Sequence, residues 1–171
     1  MHINKKVLAL LIVIFSLIII VLLGYKRVST SYEKEMPSNF NFLAKVEFET
    51  YILDTYNSSL TKTIDWENDT VIFFETSQEF KEIIYDILRD IDIYKYPKNY
   101  APTSTIRVSP SSSYYLKFTL DSDTSIINWE ENTESKIKEA KKLRMLFETI
   151  IEYLKQDNRV KSLPESKRAF L

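Results

Sequence analysis

An uninterrupted apolar run near the amino terminus constrains this chain more than any other feature. The run, residues 7–23, carries no charge and contains one polar side chain, Ser16. As an α-helix it would reach roughly 26 Å at about 1.5 Å per residue, close to the roughly 30 Å hydrocarbon core of a bilayer. Two basic residues precede the run and two follow it, where their side chains can reach the lipid headgroups. We therefore expect residues 1–24 to form an N-terminal single transmembrane helix that contacts the lipid bilayer through residues 7–23.

A cleaved secretory signal is the alternative to such a signal-anchor. Signal peptides have an apolar centre of about 7 to 15 residues and small residues at the cleavage site. Here the run is longer, and residues 28–31 offer only a weak site. The basic residues on the two sides of the run are tied in number, so the positive amino terminus and the short leading tail decide the orientation. They favour a single-pass protein of the cell membrane with its N-terminus inside and its C-terminal domain outside.

The remainder of the chain, residues 25–171, is long enough for one domain. It holds all 24 acidic residues and 21 of the 23 basic ones, because Lys5 and Lys6 precede the apolar run. Its net charge is therefore about −3, which is close to balanced. Electrostatics alone predict neither a nucleic acid nor an anionic membrane surface as a partner.

Three residue types are absent from the predicted domain, and their absence excludes several classes of enzyme. The only glycine is Gly24, the only histidine is His2, and the chain has no cysteine. Catalytic triads and common zinc sites need histidine or cysteine. Phosphate-binding loops need glycine, because a Cβ atom would block the close approach of the backbone. We therefore expect a non-enzymatic protein with no catalytic residue, no cofactor and no metal site.

The first half of the domain predicts three strands. Residues 45–52 alternate apolar and polar side chains, with Val46 and Ile52 on the buried face. Residues 60–66 alternate in the same way, which predicts a hairpin with the first strand. Residues 71–74 are β-branched and aromatic without alternation, so we expect a third strand that is buried on both faces.

An amphipathic helix follows these strands. Ser77 has the position of an N-cap, and six apolar residues from Phe80 to Ile91 recur at spacings of three and four. Pro97 cannot continue the helix and restricts the residue before it. The helix therefore ends by Tyr96 at the latest.

The second half repeats the order of elements. Strands are predicted at residues 105–108, 114–120 and 125–129, and Thr133 has the position of an N-cap for a second helix that ends near residue 157. The predicted fold is α+β, with an antiparallel sheet of about five to six strands, two amphipathic helices on one face and βββα-βββα order. The predicted segments after the anchor are a polar stalk (25–43), an extracytoplasmic domain (44–158) and a C-terminal tail (159–171) that we expect to be exposed or loosely packed.

Two surfaces could contact a partner. Tyr94, Tyr96 and Tyr100 lie in a stretch that contains Pro97 and ends at Pro102, and they give rigid, amphipathic contact area. The alternative is that these rings cover the end of the first helix. The second helix carries a basic stretch that contains Lys138, Lys141 and Lys142, and this stretch is either a solvated face or a contact to an anionic partner.

Carboxylates are the remaining candidates for chemistry. Residues 65–69 carry acids at alternate positions like the start of a calcium loop, but they lack its glycine and its closing glutamate, so we expect a solvated turn. Asp121 and Asp123 flank a hairpin turn, and Glu130 precedes the second helix. These three acids are candidates for an acid–base pair if a cleft gathers them.

The layout of the chain is similar to that of uncharacterised small membrane-anchored or exported proteins of low-GC Gram-positive bacteria. The similarity rests on the basic start, the single apolar anchor, the low-glycine body and the ending Leu163-Pro164-Glu165. It is a similarity of layout without a specific motif. It implies an outward-facing domain and transfers no activity or functional residue.

Three functions are consistent with these patterns. The first is a membrane-anchored extracytoplasmic interaction module that binds an unknown protein or envelope partner. The second is a carboxylate-based hydrolase or sugar-binding enzyme. The third is an accessory subunit of a membrane complex. The well-patterned core and the lack of catalytic residue types favour the first.

Overall fold

The computed structural model describes residues 35–46, 50–101, 112–120, 123–131 and 137–167. The chain divides into two units, 1–34 and 35–171, and all described residues belong to the second. The predicted anchor therefore lies outside the described residues, as does the predicted stalk up to Lys34. Within the described ranges, no helix is both long and apolar enough to cross a bilayer.

The described part of the chain forms one mixed seven-stranded sheet and three helices, which confirms the predicted α+β class. The sheet order is β4-β3-β2-β1-β6-β7-β5, and every neighbouring pair is antiparallel except β5 with β7. The prediction of five to six antiparallel strands and two helices is therefore wrong in the number of strands, in the number of helices and in the parallel pair of β5 with β7. The elements in chain order are β1 (Asn41–Val46), β2 (Tyr51–Asp54), β3 (Ser59–Thr63), β4 (Asp69–Phe73), α1 (Gln78–Asp90), a 3-10 helix (Ile93–Lys95), β5 (Asn99–Tyr100), β6 (Ser112–Leu120), β7 (Asp123–Glu131), α2 (Lys138–Gln156) and α3 (Asn158–Lys161).

The single strand predicted over residues 45–52 is wrong, because two strands share this stretch. The chain reverses between β1 and β2, and Val46 pairs with Tyr51. Facing residues of an antiparallel pair lie on the same side of the sheet, so the buried parity changes from even in β1 to odd in β2. Tyr51 is therefore buried, and Ile52 lies on the other face. β1 also begins at Asn41, so the sheet includes the last three residues of the predicted stalk.

The prediction that residues 71–74 are buried on both faces is also wrong. β4 is an edge strand that pairs only with β3 in the described sheet. Val71 is 64% exposed and Phe73 is 72% exposed, whereas Phe74 is completely buried. Apolar composition alone does not distinguish an edge strand from a central one, because burial depends on neighbouring elements.

The core lies against one face of the sheet, which we call the core face. Along the longer strands, buried residues on this face alternate with less buried residues on the other face. Both long helices contribute aromatic side chains to the core. Phe147 of α2 stacks on Tyr114 and Trp129 at centroid distances of 4.6 and 5.6 Å. Tyr85 of α1 packs edge-on against Phe40 at 5.5 Å. The largest completely buried side chains are Trp129, Phe40, Phe42, Phe74, Phe118, Phe147, Leu53, Leu60, Ile84, Leu88, Ile93 and Leu116.

Helix α1 begins where the sequence predicts. Ser77 is its N-cap, and the Ser77 Oγ accepts a hydrogen bond from the Phe80 amide at 3.2 Å. The buried stripe differs from the predicted one, because Ile83 is 44% exposed, Ile87 is half-buried and Tyr85 is buried. The stripe is thus rotated slightly toward Phe40, which precedes β1.

Helix α2 begins later than predicted. Ile137 has an extended backbone with φ −61° and ψ 135° and is the residue before the first helical turn. The predicted cap Thr133 lies outside the described residues, as do the predicted strand at 105–108 and Asp121. β5 occupies two residues that were predicted as loop.

The C-terminal segment packs on the domain, which corrects the expectation of a loosely packed tail. Val160 of α3 is 3% exposed, and the guanidinium Cζ of Arg159 lies 4.1 Å from the centroid of the Phe74 ring. The Lys167 amide donates a hydrogen bond to the Ile64 carbonyl at 2.6 Å. Short-range apolar periodicity is too weak in this segment to predict these contacts.

Candidate functional site

The face of the sheet opposite the core face, which we call the open face, carries a groove of about 650 Å³. β1, β5 and β7 end at this groove and β6 begins there. Strand register places Lys45, Tyr115 and Asn128 in one row across three neighbouring strands. Residues that line the groove with side chains on the open face or at its rim are Lys45, Asn99, Tyr100, Ser113, Tyr115, Asn128 and Glu130.

The short strand β5 forms the outer wall of the groove. The Asn128 amide donates to the Lys98 carbonyl at 2.7 Å, and the Asn128 Nδ2 donates to the Asn99 Oδ1 at 2.8 Å. β5 and β7 are parallel, so a long connection must separate them along the chain, and this connection includes β6. β5 is thus held to β7 by its backbone and by a pair of amide side chains.

The three predicted tyrosines separate into different roles. Tyr94 packs against Phe118 with centroids 5.9 Å apart, so it covers the core as the alternative interpretation expected. Tyr96 and Tyr100 meet edge to face at 5.3 Å and 80°. Tyr100 borders the groove and Tyr96 does not. The register pairs Tyr100 with Trp129, so the Tyr100 side chain leaves β5 on the core-face side of the sheet, whereas Asn99 shares the open face with Asn128.

The Tyr96 hydroxyl connects the tyrosine loop to helix α2. It donates a hydrogen bond to the Glu139 carbonyl at 3.0 Å. Burial, followed by the nearby Tyr100 and Glu139, raises the pKa of Tyr96 to about 12. Burial and the Glu139 carboxylate also raise the pKa of Tyr100. Both phenols therefore stay neutral hydrogen-bonding groups at physiological pH.

The charges in the groove are mixed in sign. The Lys45 Nζ lies 5.8 Å from the centroid of the Tyr115 ring, a cation–π distance. Glu130 is exposed at the end of β7. Together with two amides and two phenols, these groups suit a polar ligand or peptide of low net charge better than a polyanion.

The basic stretch of α2 starts beside the tyrosine loop. Lys138 and Lys141 are exposed, and Lys142 is half-buried with its Nζ 3.4 Å from the Asp90 carbonyl oxygen. The Tyr96 hydroxyl is bonded to Glu139, which follows Lys138 on α2. The structure therefore places the tyrosine loop beside the basic stretch of α2, two surfaces that the sequence predicts separately.

Asp123 and Glu130, the two of the three candidate acids that the structure describes, are not gathered into one cleft. Asp123 and Glu130 lie at opposite ends of β7, seven residues and roughly 23 Å apart at about 3.3 Å per residue. Asp65 accepts hydrogen bonds from the Glu67 and Asn68 amides at 2.9 Å, and these bonds lower its pKa. Residues 65–69 thus include the predicted turn. Over the described ranges, no three His, Cys, Asp or Glu side chains lie where they could hold a metal ion.

Several groove residues were missed by sequence analysis. Asn128 and Tyr115 alternate with buried residues in the two best-predicted strands, so their face was predictable. Lys45 and Asn99 come from strands whose neighbours are decided by long-range pairing. No local signal places them beside Asn128.

Comparison with known proteins adds no relative. No protein-family model matches this chain, and neither a curated protein nor a solved structure matches it. The similarity of layout to small bacterial anchored or exported proteins stays a prediction.

Proposed function

We propose that this protein is a non-enzymatic binding module, held at the cell membrane by residues 7–23 with its domain outside, and that its contact surface is the groove with Tyr100 at its rim. The partner is a protein or envelope component of low net charge. One observation carries this proposal: the tyrosine loop is held at three points, so that the Asn99–Asn128 amide pair is fixed in a groove of ligand size that Tyr100 borders.

Rigid presentation of the loop supports binding. Tyr94 is packed on Phe118, Tyr96 is bonded to Glu139, and the Lys98 carbonyl is bonded to β7. Ordering a loop on binding costs free energy, so a loop that is ordered beforehand binds more tightly for the same contacts. Exposed aromatic and amide groups on a rigid scaffold are a common arrangement for recognition.

The groove is a better contact surface than the basic face of α2. Lys142 already contacts the Asp90 carbonyl, and Lys138 and Lys141 are exposed on the surface of α2. The groove combines concavity with several hydrogen-bonding types, which is the usual composition of a specific site. The α2 lysines would then add weak electrostatic attraction beside it.

The separation of Asp123 from Glu130 gives no support to a carboxylate-based hydrolase. A general acid and a general base must both reach the same substrate atoms, within hydrogen-bond distance or through one water. Acids about 23 Å apart do not meet this requirement.

Site-specific photocrosslinking in intact cells tests the proposal. A photoreactive side chain is placed at Ser113, which is exposed and lines the groove, or at Glu152, an exposed matched control on α2. We expect a discrete crosslinked product from position 113, its loss in a Tyr115→Ala background, and no such product from position 152. Equal crosslinking at both positions, or products that survive Tyr115→Ala in a folded protein, would contradict the groove as the contact surface.

A further inference from the structure

The edge strand β4 lies at the opposite end of the sheet from the groove and has a different chemistry. Its side chains Val71 and Phe73 are 64% and 72% exposed. Trp66, in the turn that precedes the strand, is 69% exposed. Clusters of large, exposed apolar side chains are more frequent at interaction surfaces than elsewhere on soluble proteins.

The register of β4 shows which backbone groups face outward. The Phe74 amide donates to the Ser58 carbonyl at 2.8 Å, and Phe74 faces Ser58 in the register of β3 and β4. In an antiparallel pair the bonded residues alternate, so even-numbered residues of β4 turn their backbone groups toward β3. Asp69, Val71 and Phe73 therefore turn their amide and carbonyl groups away from β3, toward the outer edge.

The described strand β4 lacks the residue types that usually protect an edge. Natural edge strands are blocked by proline, lysine, bulges or a covering element. β4 reads Asp69-Thr70-Val71-Ile72-Phe73, with no proline, no lysine and one charge at its beginning. We propose that β4 accepts an extended segment of a partner protein by strand addition, which extends the sheet beyond its seven strands.

The charges around β4 indicate what kind of segment it accepts. Glu67 and Asp69 flank the strand at one end and Glu75 at the other, and all three are exposed. A second copy could add its own β4 antiparallel to this one. If the two Ile72 residues face each other, Asp69 of one copy lies opposite Glu75 of the other. If the two Val71 residues face each other, Glu67 of one copy lies opposite Glu75 of the other. Like charges directly opposite one another are destabilising.

A strand with basic ends avoids this repulsion and complements the acids. Apolar residues at alternate positions of that strand would cover Val71 and Phe73 on the open face. The inferred occupant is therefore an extended segment of another protein, with lysine or arginine at its ends and alternating apolar residues between them. This surface is independent of the groove, so either proposal can fail alone.

A synthetic peptide of about seven residues, with valine and threonine alternating between terminal lysines, is the probe. Binding to the full chain in detergent is followed by fluorescence anisotropy. Val71→Pro removes an outward amide without breaking the ladder to β3, because edge strands tolerate proline at such positions. We expect Val71→Pro to bind about tenfold more weakly or worse, and the matched Val71→Ile to bind like the wild type. A peptide with terminal glutamates should bind at least about tenfold more weakly.

Phe73→Lys is the second variant and decides the outcome if Val71→Pro fails to fold. Phe73 is exposed, so the lysine is compatible with the fold and repels a basic strand. Unchanged binding by a folded variant of either kind would overturn the proposal. So would equal binding of the glutamate peptide. Self-association of the full chain that Val71→Pro abolishes would identify a second copy as the occupant and also overturn it.

Discussion

Tyr96 is the residue where the difference between sequence and structure matters most for experiment. The sequence predicts it as a contact residue, but its hydroxyl is bonded to the Glu139 carbonyl and its ring supports Tyr100. Truncating it to alanine would disturb the loop as well as any partner contact. Binding is thus tested with Tyr115→Ala in the groove, and Tyr96 is better tested through its ionisation.

Stability at high pH should report on Tyr96. Its pKa is raised from an ordinary value of 10.0 to about 12. Below pH 10 the phenol is neutral in both folded and unfolded chains, so its contribution to stability is complete. Between pH 10 and 12 the unfolded chain loses this proton before the folded chain does, so stability falls as pH rises. Melting temperatures of the wild type and Tyr96→Phe, measured from pH 8 to 11, should therefore converge as pH increases.

The wild type and Tyr96→Phe share all other titrating groups. The difference between their melting temperatures therefore isolates the ionisation of Tyr96. The variant should begin with a lower melting temperature at pH 8, because it lacks the hydrogen bond to Glu139. Melting curves that fall in parallel over the whole range would show that Tyr96 ionises normally in the folded protein.

A buried charge in helix α1 should unfold the domain. Ile84 is completely buried and Ile83, its neighbour in sequence, is 44% exposed. Ile84→Asp should cost more than about 4 kcal/mol, because an unpaired carboxylate would be removed from water. Ile83→Asp is the matched control and should cost less than about 1 kcal/mol. Circular dichroism melts distinguish the two, and a normal transition in Ile84→Asp would refute the assignment of the core.

At the scale of elements, a capping residue in the sequence predicts the start of a helix only when its side chain forms the capping hydrogen bond in the fold. Ser77 caps α1 as its sequence position predicts. Helix α2 instead starts after an extended Ile137, with no side-chain cap. The apolar spacing of α2 extends back to Ile137, but that residue is 37% exposed, so packing does not require the helix to include it.

Removing the cap of α1 should give a measurable, moderate loss. Ser77→Ala removes the acceptor for the Phe80 amide and should lower the free energy of unfolding by about 1 kcal/mol. Ser77→Asp keeps an acceptor and adds a charge that favours the helix N-terminus, so it should be nearly neutral. Urea titrations measure both. If Ser77→Ala is as stable as Ser77→Asp, the capping bond contributes nothing.

At the scale of the whole molecule, the C-terminal segment, residues 157–167, packs against the end of the sheet that contains β4. Arg159 covers the Phe74 ring, Val160 is buried, and the Lys167 amide bonds to the Ile64 carbonyl. These contacts join residues that are distant in sequence to β4 and to the turn before it. The segment thus supports the strand whose outer edge we propose as a docking surface.

Truncation should show this support. A chain that ends after Gln156 loses all three contacts, and we expect a loss of about 2–4 kcal/mol in stability from the burial of Val160 and the cation–π contact. A chain that ends after Lys167 keeps them and should melt like the full chain. Equal melting of the two truncated proteins would mean that the segment only lies on the surface.

The sequence by itself determined the elements whose side chains repeat at short range. The 3.6-residue period of α1 and the alternation of β6 and β7 are local patterns, and the structure confirms these elements. It also determined the α+β class, since strands and helices were both recognisable. It placed Tyr100 among the candidate contacts and Glu130 among the candidate acids but could not bring them together.

Only the tertiary structure decided which strands are neighbours, which strand is an edge, and where the groove lies. The chain reversal at Val46 and Tyr51 changes the buried parity, and a pattern read along one strand cannot show it. Asn99 and Asn128 meet across 29 residues, and Tyr96 meets Glu139 across 43. The physical reason is that burial and backbone pairing depend on partners distant in sequence, whereas periodicity reports only which side of its own element a residue occupies.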